Sequence, residues 1–395
     1  MHTWTTSRFR SSPALDLKRF DELPPEQQNA FRELQRDDDF YGVLVPRVIG
    51  SANLKSVGSQ TARLFQSLLT PSRIEASLFE DAAYREDIID LVLDGILEIE
   101  NGDGFCRGAD AFHLVCHPER ESRDLGGRGA MHRIGVLSRE ALQHAEDLAV
   151  RDAASLTSAI YAYNRMPRTR TWTARFPDRD AVLEHIGAES GTTAALLDRH
   201  WVGTPPDRAN GWISWQARDR PALPGPSTSL GMTWKLYVSP HPEHIADAFR
   251  ALVRVLAGLP GSQMKIGQDA AGLLRPDKLV AYFRTREDLD AAARALAVEL
   301  NGCPAHGVPF TAGFGEDGLL SWGIDPPDSE RPLSWLDRES WRLWIAKTLA
   351  SALALAKSAT DATVEPWRFA VERVRRYGVD VDTWTPADTL WRSNA

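Results

Sequence analysis

The stretch Trp234-Lys-Leu-Tyr-Val-Ser-Pro240 alternates apolar and polar side chains with the two-residue period of a β-strand. Trp234, Leu236 and Val238 then share one face, and Lys235 and Tyr237 share the other, roughly 7 Å apart at about 3.3 Å of rise per residue. An amine and a phenol side by side are a candidate base and acid. A lysine that is desolvated near other cations gives up its proton more readily, which suits it to take a proton near neutral pH, and the phenol can donate or relay one. The same alternation also describes an exposed strand face with a lysine stem laid over apolar surface and an amphipathic tyrosine, and spacing leaves both readings open.

Three further cations join this pair as candidates. Lys265 lies in Gln-Met-Lys-Ile-Gly267, Arg275 in Leu-Leu-Arg-Pro-Asp-Lys278, and Arg342 between Trp341 and Trp344. Guanidinium forks and ammonium groups are what hold a phosphate dianion, so Lys265, Arg275 and Arg342 would suit a phosphate clamp. Arg342 can equally be a surface residue packed over tryptophan, and Asp277 can serve to orient Arg275 through an ion pair. From Gly231 to Arg284 there are seven Lys and Arg against four acids, a cationic stretch in a chain whose net charge is −8. That imbalance fits a localised anion site or, as readily, solvated helix and strand edges.

Other chemistries find no support in the motifs. The sequence has no Gly-x-x-x-x-Gly-Lys-[Ser/Thr] loop, no His-Glu-x-x-His and no Gly-x-Ser-x-Gly. Gly126-Gly-Arg-Gly129 is too short for a dinucleotide loop and follows no strand, and Cys106, His113, Cys116 and His117 match no zinc spacing. We therefore expect no metal and no cofactor, and catalysis by side chains alone.

The elements that must position these residues follow from periodicity. Strands are expected over 232–238, 262–267, 279–284 and 318–324, and helices over 242–256, 285–300 and 334–357, the second of them opened by Thr285 with Asp288 in its first turn. Strand, helix, strand, strand, helix, strand, helix describes an α+β domain whose sheet is covered by helices. Ahead of it, apolar residues at helical spacing run from Ile88 to Leu97 and end in a turn at 101–104. A second helix is expected over 138–163, opened by Ser138 and closed by Asn164 and Pro167, so the front half reads as mainly helical. The breaker-rich Asp219-Arg-Pro-Ala-Leu-Pro-Gly-Pro-Ser-Thr-Ser229 marks a junction. The expected organisation is a segment of unassigned role at 1–80, a mainly helical domain at 81–217, a linker at 218–230, the α+β domain at 231–360, and a C-terminal helix and tail at 361–395.

With 395 residues, 43% apolar and 25% charged, the chain has the composition of an ordinary globular protein of two or three domains. A pI near 5.7 gives no basic footprint for nucleic acid. Three cysteines are too few and too odd for a disulfide framework, which points to a reducing compartment. There is no apolar leader and no run of eighteen apolar residues, so a cytoplasmic protein without a membrane span is expected.

Several of these stretches also carry a resemblance. Leu93-Asp-Gly-Ile-Leu-Glu-Ile-Glu100, Tyr161-Ala-Tyr-Asn-Arg-Met-Pro167, Trp234-Lys-Leu-Tyr-Val238, Lys265, Arg275-Pro-Asp-Lys-Leu-Val-Ala-Tyr282, Gly307-Val-Pro-Phe-Thr311 and Ser340-Trp-Arg342, in that order over 80–357, resemble the HopA-type effector-like family. Its members occur as type III effectors and beside kinase-like proteins in the biosynthesis of class V lanthipeptides and thioamitides. The resemblance implies a cofactor-independent lyase that eliminates phosphate from phosphoserine or phosphothreonine in a precursor peptide, giving dehydroalanine or dehydrobutyrine, with a kinase-like partner. A fainter likeness, over 235–283, is to effector phosphothreonine lyases, whose strand carries Lys-x-His as base and acid. Here the matching positions are Lys235 and Tyr237, which keeps Lys235 as the implied base and leaves the acid open between Tyr237 and a phosphate oxygen. Lys265 and Arg275 are implied as phosphate ligands by the same match, and Arg342 by its place in the helix. The rival reading is a non-catalytic effector-like or escort protein that binds a precursor peptide or a kinase, for which some of the thirteen tryptophans would line a groove.

Overall fold

The computed structural model describes residues 3–47, 54–116, 132–205, 211–218, 233–259, 263–326, 339–360 and 364–386. The fold is α+β, and the chain divides into two compact units. One is drawn from Met1–Arg123, Asp328–Asp337 and Ala352–Ala370, the other from Asp124–Pro327, Arg338–Ser351 and Val371–Ala395. The expected linker falls inside the second unit and, apart from Arg218, lies outside the described residues, as does the expected helix start at Ser334.

The first unit takes most of its strands from residues 1–80, to which periodicity assigned no element, while the helices expected over 81–217 do predominate there. It holds two three-stranded antiparallel sheets, Phe9–Ser11 with Leu97–Asn101 and Gly104–Cys106, and Leu15–Arg19 with Phe40–Pro46 and Lys55–Gly58. Ile96 and Leu97, read as the end of a helix, lie beyond it. The helix Ala82–Leu93 stops because Gly95 turns the chain back with φ +71°, and Leu97 opens a strand. Buried Glu98 on that strand is bracketed by Arg10 and Arg107.

The second unit is built on a seven-stranded sheet. Its strands are β1 (Trp201–Gly203), β2 (Trp212–Ala217), β3 (Trp234–Val238), β4 (Gln263–Gly267), β5 (Leu279–Phe283), β6 (Ala312–Phe314) and β7 (Leu320–Ile324). They are ordered β6-β7-β3-β5-β4-β2-β1 with every neighbouring pair antiparallel. The sheet thus takes two strands from ahead of the Pro/Gly-rich stretch, where a domain boundary was expected. Helices α1 (Arg133–Asp147), α2 (Ala153–Ala162), α3 (Ile245–Gly258), α4 (Arg286–Glu299) and α5 (Trp341–Ala356) accompany it.

One helix was expected where α1 and α2 stand. The chain breaks at Leu148, which is extended, and restarts at Asp152, whose carboxylate accepts from Ser155 N at 2.8 Å as an N-cap. Ser138 lies inside α1 and caps nothing. Its hydroxyl donates to Ile134 O and accepts from Phe310 N, tying the helix to a distant loop. Thr285 does cap α4, accepting from Asp288 N.

The two faces of the sheet differ in kind. Ile213, Trp215, Leu236, Val238, Met264, Ile266, Leu279, Ala281, Phe283, Leu320 and Trp322 form one buried core with Phe249 and Leu252 of α3 and Leu289 and Leu296 of α4. The other face carries the candidate chemistry.

Candidate functional site

Register brings the candidates together. Lys235 on β3 lies across from Tyr282 on β5 on one side and Gly323 on β7 on the other, and Tyr237 lies across from Val280 and Ser321. Lys265 on β4 lies across from Val280 and from Ser214 on β2. All sit on the face away from α3 and α4. Tyr282 stands between the two lysines, with each Nζ 5.4 Å from its ring centroid. The Trp212 ring then links Lys265 to Arg275, 4.3 Å from the Lys265 Nζ and 4.8 Å from the Arg275 guanidinium carbon.

Arg275 is brought to this face by a tight turn after β4. A Cβ at Gly267 would lie 2.3 Å from the Gly272 backbone, so only glycine allows the chain to fold back this closely. Asp277 then grips Arg275 in a two-point pair, Nε to Oδ1 at 2.8 Å and Nη2 to Oδ2 at 2.9 Å. Tyr161, at the end of α2, accepts from Arg275 Nη2 at 3.1 Å and donates to Asp277 Oδ2 at 3.4 Å.

Arg342 differs from its expected place in a phosphate clamp. Trp341 packs over Gly323, where a Cβ would lie 2.7 Å from the indole, and this seats the start of α5 on the sheet. Arg342 is 1% exposed and its nitrogens are committed. Nε donates to Pro309 O, Nη2 donates to Tyr161 O, and Nη1 lies 2.9 Å from Asp277 Oδ2 in an ionic contact too far off line for a hydrogen bond. It braces Asp277 and Tyr161 from behind. Tyr237 is likewise enclosed, 3% exposed and packed with Val280, Tyr282 and Val308.

The two lysines differ in their partners. Lys235, 7% exposed, pairs with buried Asp325 at 2.5 Å. Lys265 has no carboxylate or hydrogen-bond partner among the described residues; its neighbours are the two rings. Burial first, then the charges of Lys235 and Arg275, pull the Lys265 amine down to about 8, against the opposing pull of Asp277 and Asp325. Burial also opposes the charge on Arg275 and on Asp277, but Asp277 and then Tyr161 overcome it at Arg275, and Arg342 and then Arg275 overcome it at Asp277. The guanidinium is held above its ordinary value and the carboxyl well below the carboxylate range. Burial, and then the Asp325 charge, push the Tyr237 and Tyr282 phenols well above 10, so both keep their protons.

No family model matches the chain, and no curated protein does. Several solved structures align to part of it. An effector protein from Pseudomonas syringae pv. tomato strain DC3000 aligns at 10% identity and a TM-score of 0.38, over 64% of this chain and 97% of its own. A phosphothreonine lyase aligns at 13% identity and 0.27, over 53% and 99%. The type III effector and phosphothreonine lyase OspF from Shigella flexneri aligns at 16% and 0.24, over 49% and 98%. These are distant likenesses over part of the chain.

Sequence reasoning gave no site role to Tyr161 or Asp325, and took Trp212 only as one of the tryptophans, with Trp201 and Trp215, that could line a peptide groove. Tyr161 stands in a stretch singled out for its resemblance, yet its partners are 114 and 181 residues away. A surface cavity of about 410 Å³ between the end of α4 and the β6–β7 turn, bordered by Arg294, Glu316 and Asp317, includes none of the site residues. No described helix is long and apolar enough to cross a membrane, and no group of three or more His, Cys, Asp or Glu among the described residues is placed to hold a metal ion.

Proposed function

We propose that this chain is a cofactor-independent lyase that eliminates phosphate from phosphoserine or phosphothreonine in a peptide, with Lys265 as the base. The observation that carries this reading is the pattern of pairing. Lys235, Arg275 and Arg342 each have a carboxylate, whereas Lys265, among the described residues, has none and sits between two aromatic rings. A phosphate needs fixed cations, and proton removal near neutral pH needs an amine that releases its own proton easily; this face offers both.

The role first read for Lys235 accordingly passes to Lys265. Lys235, held by Asp325, and Arg275, held by Asp277, grip the phosphate, and Arg342 supports that grip through Asp277 and Tyr161. Lys265 takes the α-proton. The electron pair of the Cα–H bond becomes the Cα=Cβ bond, and the Cβ–O pair leaves with the phosphate. The leaving oxygen takes its proton from a phosphate oxygen or from Tyr237, and the enclosure that keeps the Tyr237 phenol protonated makes it the weaker donor of the two.

In its finer form the substrate is a ribosomal precursor peptide phosphorylated by a kinase-like partner in the cytoplasm, and the products are dehydroalanine and dehydrobutyrine of a lanthipeptide-type pathway. The support for that form is the ordered resemblance over 80–357 and no geometry of the site. Incubating the purified protein with a phosphoserine peptide and reading the product mass tests the activity. A lyase yields the dehydrated peptide, a phosphatase restores serine, and a binding protein leaves the phosphopeptide intact.

A further inference from the structure

Asp325 closes β7 and contacts two parts of the site at once. Its Oδ1 lies 2.5 Å from Lys235 Nζ and accepts a long bond, 3.4 Å, from Trp341 N at the start of α5. It is 8% exposed, as enclosed as the lysine it meets. A carboxylate is costly to bury, and capping one helix N–H needs no charge, since a serine or asparagine does that as well. The long bond to Trp341 therefore accounts poorly for an acid here, and the short contact to Lys235 accounts for it well.

Lys235 faces Lys265 across Tyr282, and without a counter-charge two ammonium groups on one buried face repel each other. Either lysine could then turn toward a bound phosphate, and their placement around one ring would not by itself give them separate tasks. Asp325 removes that ambiguity by tying the charge to β3. It also fixes the direction of the Lys235 ammonium, leaving its remaining donors for the phosphate.

We infer that Asp325 is a positioning residue that assigns the two lysines their separate tasks, holding Lys235 as the phosphate-binding cation and leaving Lys265 free for the proton. The inference rests on the lyase reading for its second half and on phosphate binding alone for its first.

Asp325→Asn is the discriminating variant, because asparagine keeps the shape and the acceptor for Trp341 N and removes only the charge. Binding of a phosphoserine peptide, followed by titration calorimetry, is expected to weaken about tenfold or more, the range for breaking one side of an enclosed charge pair. KM for elimination should rise by a similar factor, and Asp325→Glu should recover part of both. In Lys235→Met the further change Asp325→Asn should add little, since the partner is already gone. Wild-type binding and KM in Asp325→Asn, or losses that multiply in the double variant, would overturn the inference and leave Asp325 a helix cap. If wild type binds phosphopeptide and forms no dehydrated product while Asp325→Asn still weakens binding, the lyase reading falls and the assignment of Asp325 to Lys235 stands. If wild type does not bind phosphopeptide, both fall.

Discussion

Lys265 and Lys278 are both lysines whose amines are pulled down by burial, to about 8 and about 7, yet their surroundings differ in every other respect. Lys278 is fully enclosed; its Nζ donates to Pro240 O at 2.9 Å and meets His306 Nδ1 at 2.7 Å. It has spent its hydrogen bonds on fastening a loop. Lys265 stands between Trp212 and Tyr282 with no such bond, beside cations that are braced in place. Desolvation alone thus makes an amine easy to deprotonate. A usable base also needs a nitrogen lone pair free to face its substrate and fixed charges around it to hold what it acts upon.

The contrast breaks most sharply at Lys265, the proposed base. Lys265→Ala is expected to lower elimination by roughly 10²–10⁴-fold while phosphopeptide binding persists, as mass spectrometry and calorimetry would register. Arg275→Ala should cost about 10²–10³ in kcat/KM by removing a donor to the leaving phosphate, and Arg275→Lys should recover little because the two-point pair with Asp277 is lost. The pH dependence sharpens the comparison further. Only the neutral Lys265 amine accepts a proton, so log kcat/KM should rise with pH and level off above about 8. Lys235→Met removes a like charge that holds Lys265 down, so in that variant the rise should move to higher pH, and a profile that stays in place would argue against the two lysines being coupled.

The smallest effect concerns stability. Lys278 is held at about 7 against an ordinary 10.5, so between those values the unfolded chain binds a proton that the folded chain has released. Stability therefore rises with pH across that window, by up to about 1.4 kcal/mol per pH unit for one such group, and the full penalty is present below about pH 7. His306, lowered to about 3 by burial and then by Lys278, works in the same sense below its ordinary 6.5. Melting temperatures measured against pH should climb less steeply above pH 7 in Lys278→Met than in wild type, because, of the two lysines whose amines burial pulls down among the described residues, only Lys265 then remains.

Much of this site could be read before any coordinates. Alternation around Leu236 gives β3 and its two faces, Thr285 gives the start of α4, and the cationic stretch 231–284 is the one that supplies Lys235, Lys265 and Arg275 to a single sheet face. Asp277 beside Arg275 is legible because two residues in one turn must meet. What stayed hidden depends on pairing across long stretches of chain. Trp212 becomes a neighbour of Lys265 only once β2 is registered on β4, and Asp325 reaches Lys235 only because β7 lies on β3. The strand pattern of Lys235 equally fitted an exposed face, and only the fold shows that Trp341 packs on Gly323 beside it and Val308 on Tyr237 along the same strand. Ile96 and Leu97 were misread because helical spacing continues through Gly95, whose left-handed backbone ends the helix.

The touching backbones of Gly267 and Gly272 have one more consequence. They close a short loop, which costs little entropy, so the β4–β5 hairpin that carries Lys265 and Arg275 is a local structure, whereas Trp212, the ring that touches both, joins only when β2 pairs with β4. The braces arrive on another schedule. Tyr161 is 114 residues from Arg275, and Arg342 is 181 from Tyr161, contacts that wait for the whole unit to assemble. The stretch that carries Lys265 and Arg275 is thus local in sequence, while the contacts that brace Arg275 draw on chain more than a hundred residues away.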